Sequence, residues 1–364
     1  MSPGKEFIHK ANATHKHDLF IKSKKIFQRG INRFAKHTRF NKSYSRRLFR
    51  LGAYKSLVNF VLKKNLNIKK NNKKSVVIFG NCQATPLEDI LCLNENFTRS
   101  FGVIKYLPSI HEMPNELQSI LLDHLSEFDI VISQSILNKD WELSTDALRK
   151  RAKQIVIYPT CFFKGYHPDL TYLKKKGQTI RSTPVVDYHS AIVLYSFIKV
   201  KSIDECVKTL ISGEWIGTSY WEWIDDQFQE LYKREKEYDV KAVDFIYENY
   251  KKYILFYTFN HPAPLLMLHI AEGIFNLLNI NGSFYNDIKQ KTSHFFKSIQ
   301  WLISDAIIEK LGLNKRGREP SFLLNNKPYS PFEFVDLHYR YYEKHPDIIE
   351  ENKTIITDTI ERLA

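Results

Sequence analysis

The chain has 364 residues, a net charge of +14, 43% hydrophobic residues and only 13 Gly and 13 Pro, which is ample for a large core or two and excludes a low-complexity or collagen-like polymer. The charge is unevenly held: residues 1–74 carry 21 Lys/Arg against Glu6 and Asp18, a net +19, while the other 290 carry 33 Lys/Arg and 38 Asp/Glu, a net −5, so charge gives no support to a nucleic-acid function for the body. No apolar run of about 18 residues is present to span a membrane, no apolar leader segment opens the chain, and cysteines at 82, 92, 161 and 206 match no zinc spacing; the expectation is a cytoplasmic protein with free thiols and no metal.

Taken in chain order, the basic extension over 1–74 reads as amphipathic helix. Phe20, Phe27, Ile31 and Phe34 share one face, and Leu48, Leu51, Val58, Val61 and Leu62 share another. Such helices suit an anionic membrane face or a biosynthetic partner, or they pack on the protein's own body with a solvated basic side. The polar stretch 69–74 reads as a linker. Strands are predicted at 75–79, 101–106, 129–133 and 154–158, with helices near 86–93, 114–127 and 144–151, the second placing Leu117, Ile120, Leu121 and Leu125 on one face. This alternation predicts an α/β fold with an open, mostly parallel sheet. Beyond about 185 the pattern turns helical, near 188–200, 203–211, 219–234, 242–252, 263–279, 286–311, 331–343 and 346–362. Three segments result: the extension 1–74, an α/β domain 75–185, and a mainly helical portion 186–364 that completes the site.

The chemistry should gather where strands end, because open parallel sheets bind ligands beyond their carboxyl edge. The first strand runs into Gly80-Asn81-Cys82-Gln83 and then a helix. Gly80 permits the tight turn, and Cys82 falls at a helix amino end, where the dipole is expected to depress the thiol pKa and favour thiolate. This strand–turn–helix elbow is one that presents nucleophiles elsewhere. Backbone N–H groups after Cys82 and the amides of Asn81 or Gln83 are placed to hold an oxyanion. Ser133-Gln134 ends the third strand, and Thr160-Cys161 follows the fourth. Cys92 and Cys206 read as core thiols.

A thiol nucleophile needs a base, usually histidine. Three motifs offer one: Lys164-Gly165-Tyr166-His167-Pro168-Asp169, Asp187-Tyr188-His189-Ser190 and Asn260-His261-Pro262. His167 also fits a simple turn into the next element, and His189 fits a satisfied histidine at a helix start that Asp187 could cap. Phe256, Tyr257 and Phe259 make the approach to His261 apolar, which would bury and tune it.

These ordered motifs resemble the WcbI family of capsular polysaccharide biosynthesis enzymes over roughly residues 75–280. The resemblance implies an acetyltransferase that uses CoA or acetyl-CoA and modifies a sugar of a surface polysaccharide or its precursor. It places Cys82 in the active site, with His261, His167 and His189 as candidate partners; the residues at the strand ends and in the histidine motifs add Asn81, Gln83, Ser133, Gln134, Tyr166 and His189 as candidate oxyanion or substrate contacts. No glycine-rich phosphate loop is visible, so the CoA diphosphate is assigned to helix amino ends with Gly80, Lys164 and Arg181. A looser likeness to SGNH-type hydrolases suggests a Rossmann- or SGNH-like sheet and a glycan esterase as the alternative, but cysteine replaces serine and Asn260-His261 lacks the preceding aspartate. A third reading is non-enzymatic, a scaffold of polysaccharide assembly attached through residues 1–74.

Overall fold

Four short runs rich in β-branched residues form the central sheet in the computed structural model, which describes residues 38–105, 107–180, 186–280, 298–314 and 321–364. The described residues fall into two compact units, one taking the chain up to Glu88 together with Phe97–Val156, the other Asp89–Asn96 together with Ile157–Ala364.

The first unit holds these elements except the second half of α3, the start of α4 and the last two residues of β4: α1 (Thr38–Arg50) and α2 (Tyr54–Lys70) precede β1 (Lys74–Phe79), α3 (Ala84–Leu93), α4 (Glu95–Ser100), β2 (Phe101–Ile104), α5 (Asn115–Asp123), β3 (Ile130–Gln134), α6 (Thr145–Arg151) and β4 (Ile155–Tyr158). The sheet order is β2-β1-β3-β4. β1 runs parallel to both neighbours, with Val76 opposite Val103 and Val77 opposite Val131. Near-continuous burial along β1 and β3 is what a parallel strand covered on both faces requires. The segment predicted as one helix over 114–127 ends at Asp123 and resumes as a 3-10 turn, Leu125–Glu127, before β3.

The second basic stretch of the extension is part of this unit. Leu48, Leu57, Val58 and Val61 are buried in one core with Val77, Phe79, Leu117 and Val131, so its apolar side faces the sheet and not a membrane. Gly102 makes the close approach possible: a Cβ there would come within 2.8 Å of Ile68 on α2. The expected linker is correspondingly short. α2 continues to Lys70, β1 starts at Lys74, and Lys69 Nζ donates to the Glu127 carbonyl (2.7 Å). The first stretch, 20–34, lies outside the described residues.

The second unit is mainly helical. Its long elements are α7 (Ala191–Ile198), α8 (Ile203–Ser212), α9 (Tyr220–Glu235), α10 (Val243–Asn249), α11 (Pro264–Leu277), α12 (Asp305–Leu311), α13 (Pro331–Glu343) and α14 (Pro346–Leu363). α7 packs against α8, α13 and α14, burying Val193, Leu194, Cys206, Phe334, Tyr342 and Ile356 together. Ser202 with Glu205, and Ser330 with Glu333, close capping boxes at the starts of α8 and α13. Short strands were not visible in the helical pattern: β5 (Leu170–Thr171) pairs with β8 (His189–Ser190), β6 (Lys174–Lys175) with β7 (Gln178–Thr179), β9 (Phe256–Thr258) with β10 (His261–Pro262), and β11 (Ile299–Gln300) with β12 (Phe322–Leu324), which continues to β13 (Lys327–Tyr329). The helix expected over 286–311 is therefore limited, among the described residues, to α12. No helix among them is long and apolar enough to cross a membrane.

Candidate active site

The elbow after β1 lies where the chain, having placed β2 on one side of β1, returns to place β3 on the other, which is the switch point at which open parallel sheets take ligands. A polar network fixes it. Asn81 Oδ1 accepts from the Gln83 N–H (2.9 Å), the Asn81 N–H donates to Gln134 Oε1 (2.7 Å), and Gln134 Nε2 donates to Gln83 Oε1 (3.0 Å). The Gly80 carbonyl accepts from the Ile110 N–H, and the Ala84 N–H donates to the Asn81 carbonyl to open α3. Ser133, fully buried, donates to the Gln134 carbonyl (2.8 Å). Asn81, Gln83, Ser133 and Gln134 are thus brought together, with Cys82 exposed at the apex.

Two expectations change here. The Gln83 backbone N–H is committed to Asn81, so it is not an oxyanion donor; the Asn81 Nδ2 amide, turned away once Oδ1 is engaged, is the better placed group. The Cys82 thiol is also not depressed. Loss of hydration around the sulfur pushes its pKa up, and a hydrogen bond from its own backbone N–H offsets this only in part. The residue as a whole is exposed, but its sulfur is backed by protein. A partial charge at a helix end with no cation beside it does not overcome that cost. Cys161 and Cys206 are buried core thiols.

In the second unit, the His167 N–H donates to the Lys164 carbonyl (2.7 Å) and the Leu170 N–H to the His167 carbonyl (3.1 Å), so the Gly-Tyr-His-Pro-Asp segment is a tight turn into β5. His167 is 1% exposed, with Nδ1 3.2 Å from the Leu302 carbonyl. Tyr166 is not a substrate contact: its buried hydroxyl sits 2.7 and 2.8 Å from the Tyr250 and Tyr253 carbonyls. Lys164 lies over the Phe259 ring, 5.7 Å from its centroid. Burial lowers its pKa and neighbouring Asp169 raises it. That buried carboxyl accepts from Ser190 Oγ (2.5 Å), and burial pushes its own pKa up. Arg181 lies outside the described residues.

His189 is a core residue rather than a substrate ligand. It is 0% exposed, with Nδ1 3.0 Å from the Tyr342 hydroxyl and its ring edge-on to His338 at 5.4 Å. Burial, then the neighbouring His338, holds its pKa well below the ordinary value. Ser190, not Asp187, caps α7, accepting from the Val193 N–H. His261, half-buried, opens β10 edge-on to Tyr188 at 6.0 Å. As its apolar approach predicts, burial lowers its pKa, to about 4. Asn260 Oδ1 accepts from the Tyr188 hydroxyl (2.7 Å) and Thr258 Oγ1 (3.1 Å), and its Nδ2 donates to the Tyr172 hydroxyl (3.3 Å). Sequence reasoning singled out the histidine of Asp-Tyr-His-Ser and passed over Tyr188.

Comparison with known proteins gives three findings. The family model described as the polysaccharide biosynthesis enzyme WcbI matches residues 75–283. A solved structure is similar with a TM-score of 0.65 and 19% identity, over 80% of this chain and 99% of that one; it is described as WcbI, a polysaccharide biosynthesis enzyme, in its native form without a disulfide bond between CoA and one of its cysteines. No curated protein matches.

Proposed function

Because the chain belongs to the WcbI family of polysaccharide biosynthesis enzymes, we propose that it transfers an acyl group, acetyl in the simplest case, from coenzyme A to a hydroxyl of a capsular or other surface polysaccharide precursor, with Cys82 as the group that meets the thioester. The observation that carries this reading is the exposed thiol at the sheet's switch point, held by the Asn81–Gln134–Gln83 network. The description of the similar structure links CoA with a cysteine thiol, and we carry that link to Cys82. The acceptor is met on the cytoplasmic side, with the basic N-terminal segment as the contact to the anionic membrane surface or to partner enzymes.

In the first half-reaction the Cys82 sulfur attacks the thioester carbonyl, the carbon–sulfur bond to CoA breaks, and the cysteine's proton ends on the CoA sulfur. In the second, the sugar hydroxyl attacks the acyl-cysteine, the ester forms, and its proton returns to Cys82. The Asn81 Nδ2 amide is suited to hold the oxyanion in both. The hydroxyl also needs a proton acceptor; of the candidate histidines, His261, with a pKa of about 4, holds a neutral imidazole that can accept a proton at physiological pH.

The raised Cys82 pKa favours a second route, in which the thiol stays protonated and the hydroxyl attacks acyl-CoA directly. The pH profile separates them. Acylation of Cys82 needs thiolate, so kcat/KM for acyl-CoA should climb about tenfold per pH unit through neutrality. Direct attack, which needs no thiolate, should not show that climb. Cys82→Ser is the test of the covalent route: CoA release from acetyl-CoA with an acceptor should collapse while CoA binding, read by calorimetry, persists. Turnover at the wild-type rate in Cys82→Ser contradicts the proposal.

A further inference from the structure

A second cleft, of about 430 Å³, opens in the first unit beside the elbow. Its floor includes Thr85 in the first turn of α3 and Ser109, whose neighbour Ile110 holds the Gly80 carbonyl. Its wall is α1. Arg46 and Arg50 stand one helical turn apart on that wall, on the same face, and both are exposed. Neither guanidinium has a hydrogen-bond or ion-pair partner among the described residues. Tyr44, Ser45 and Leu48 seat the other side of α1 in the core, so the arginines are presented by an anchored helix. Lys105 and the half-buried Phe49 also line the cleft.

This composition selects a ligand. Paired guanidinium forks match phosphate oxygens geometrically, which single lysines on an open surface do not. The volume falls in the range of small-molecule sites and exceeds what a bare phosphate fills. Phe49 offers an apolar face for a base, and the exposed Glu112 carboxylate in the lining can accept from ribose hydroxyls but would repel a second anion. We infer that this cleft binds a nucleoside diphosphate group, with Arg46 and Arg50 on the phosphates. α1 lies outside the residues 75–283 that match the family. Two substrates of the proposed reaction can carry such a group, the adenosine diphosphate end of acyl-CoA and a sugar nucleotide acceptor. Which of them fills the cleft rests on the acyl-transfer reading; the site's own chemistry does not.

Calorimetry on the full chain with ADP, CoA and UDP as separate probes, wild type against Arg46→Ala/Arg50→Ala, tests this. Wild type should bind ADP and CoA, and the double variant should bind both at least tenfold more weakly with an unchanged melting temperature, because both side chains are exposed. Loss confined to UDP supports the same site with the acceptor as its source. Equal binding by the two proteins, or no binding of any probe by wild type, overturns the inference. The acyl-transfer assay keeps the two proposals apart. Arginine-dependent ADP binding without acyl transfer retains this site and removes the reading. Acyl transfer with a KM for acetyl-CoA and a KM for sugar nucleotide indifferent to both arginines does the reverse.

Discussion

The elbow around Cys82 and the histidine-bearing region of the second unit hold their reactive groups by opposite means. At the elbow, polar atoms position an exposed side chain: three hydrogen bonds tie Asn81, Gln83 and Gln134 together. Around His167, His189 and His261, aromatic packing does the holding, and burial drives the His189 and His261 pKa values down. A network of directional bonds fixes geometry while leaving the apex accessible. Apolar packing fixes position by removing water, so the groups it holds lose their charged forms. The first arrangement should register in rates, the second in stability.

The sharpest way to break this contrast is Cys82→Ser, for which a rate loss on the order of 10³-fold is expected with almost no change in melting temperature, measured by CoA release and thermal unfolding. A stability loss of comparable size would put the thiol in the packing class instead. Next is acid unfolding. His338, wholly buried beside His189, has a pKa of about 4 against an ordinary 6.5, so between those values the unfolded chain binds the extra proton. Stability is therefore complete above about pH 6.5 and falls as pH drops towards 4, by about 3 kcal/mol from this residue alone. Urea unfolding at pH 7 and pH 4.5 reads this, and His338→Phe should flatten the difference.

Gln134→Leu probes the polar clamp itself. It removes the partner of the Asn81 N–H and the bond from Gln134 to Gln83 Oε1, at about 1–3 kcal/mol, and should lower kcat by roughly tenfold through a displaced Cys82. An unchanged kcat would mean the elbow holds its shape without β3. The smallest effect is expected for Lys69→Met. Its ion pair with Asp129 at 3.5 Å is partly exposed and should be worth under about 1 kcal/mol, with no change in activity.

Much of the elbow was legible in the sequence because its cause is local. Four apolar β-branched or aromatic residues, a glycine and Asn81-Cys82-Gln83 before a helix specify a strand, a turn and an exposed side chain within about a dozen positions. The same holds for α8 and α13, whose serine caps announce their starts. What could not be read depends on residues far apart in the chain. The clamp joins Gln134 to Asn81 across 53 positions, and Tyr342 meets His189 across 153. The two-residue strands β5 and β8 carry no periodicity, yet their pairing decides that His189 faces inward. The Cys82 pKa failed for the same reason: the helix end was visible, while the protein packed behind the sulfur was not.

The central claim is that the Cys82 sulfur takes the acyl group from CoA. Mass spectrometry of the intact protein after incubation with acetyl-CoA, without acceptor, tests it most directly. One acetyl adduct per chain, mapped to Cys82 and discharged on adding a hydroxyl acceptor, is the predicted result. Unmodified protein that nevertheless turns over acetyl-CoA in the presence of acceptor would contradict it.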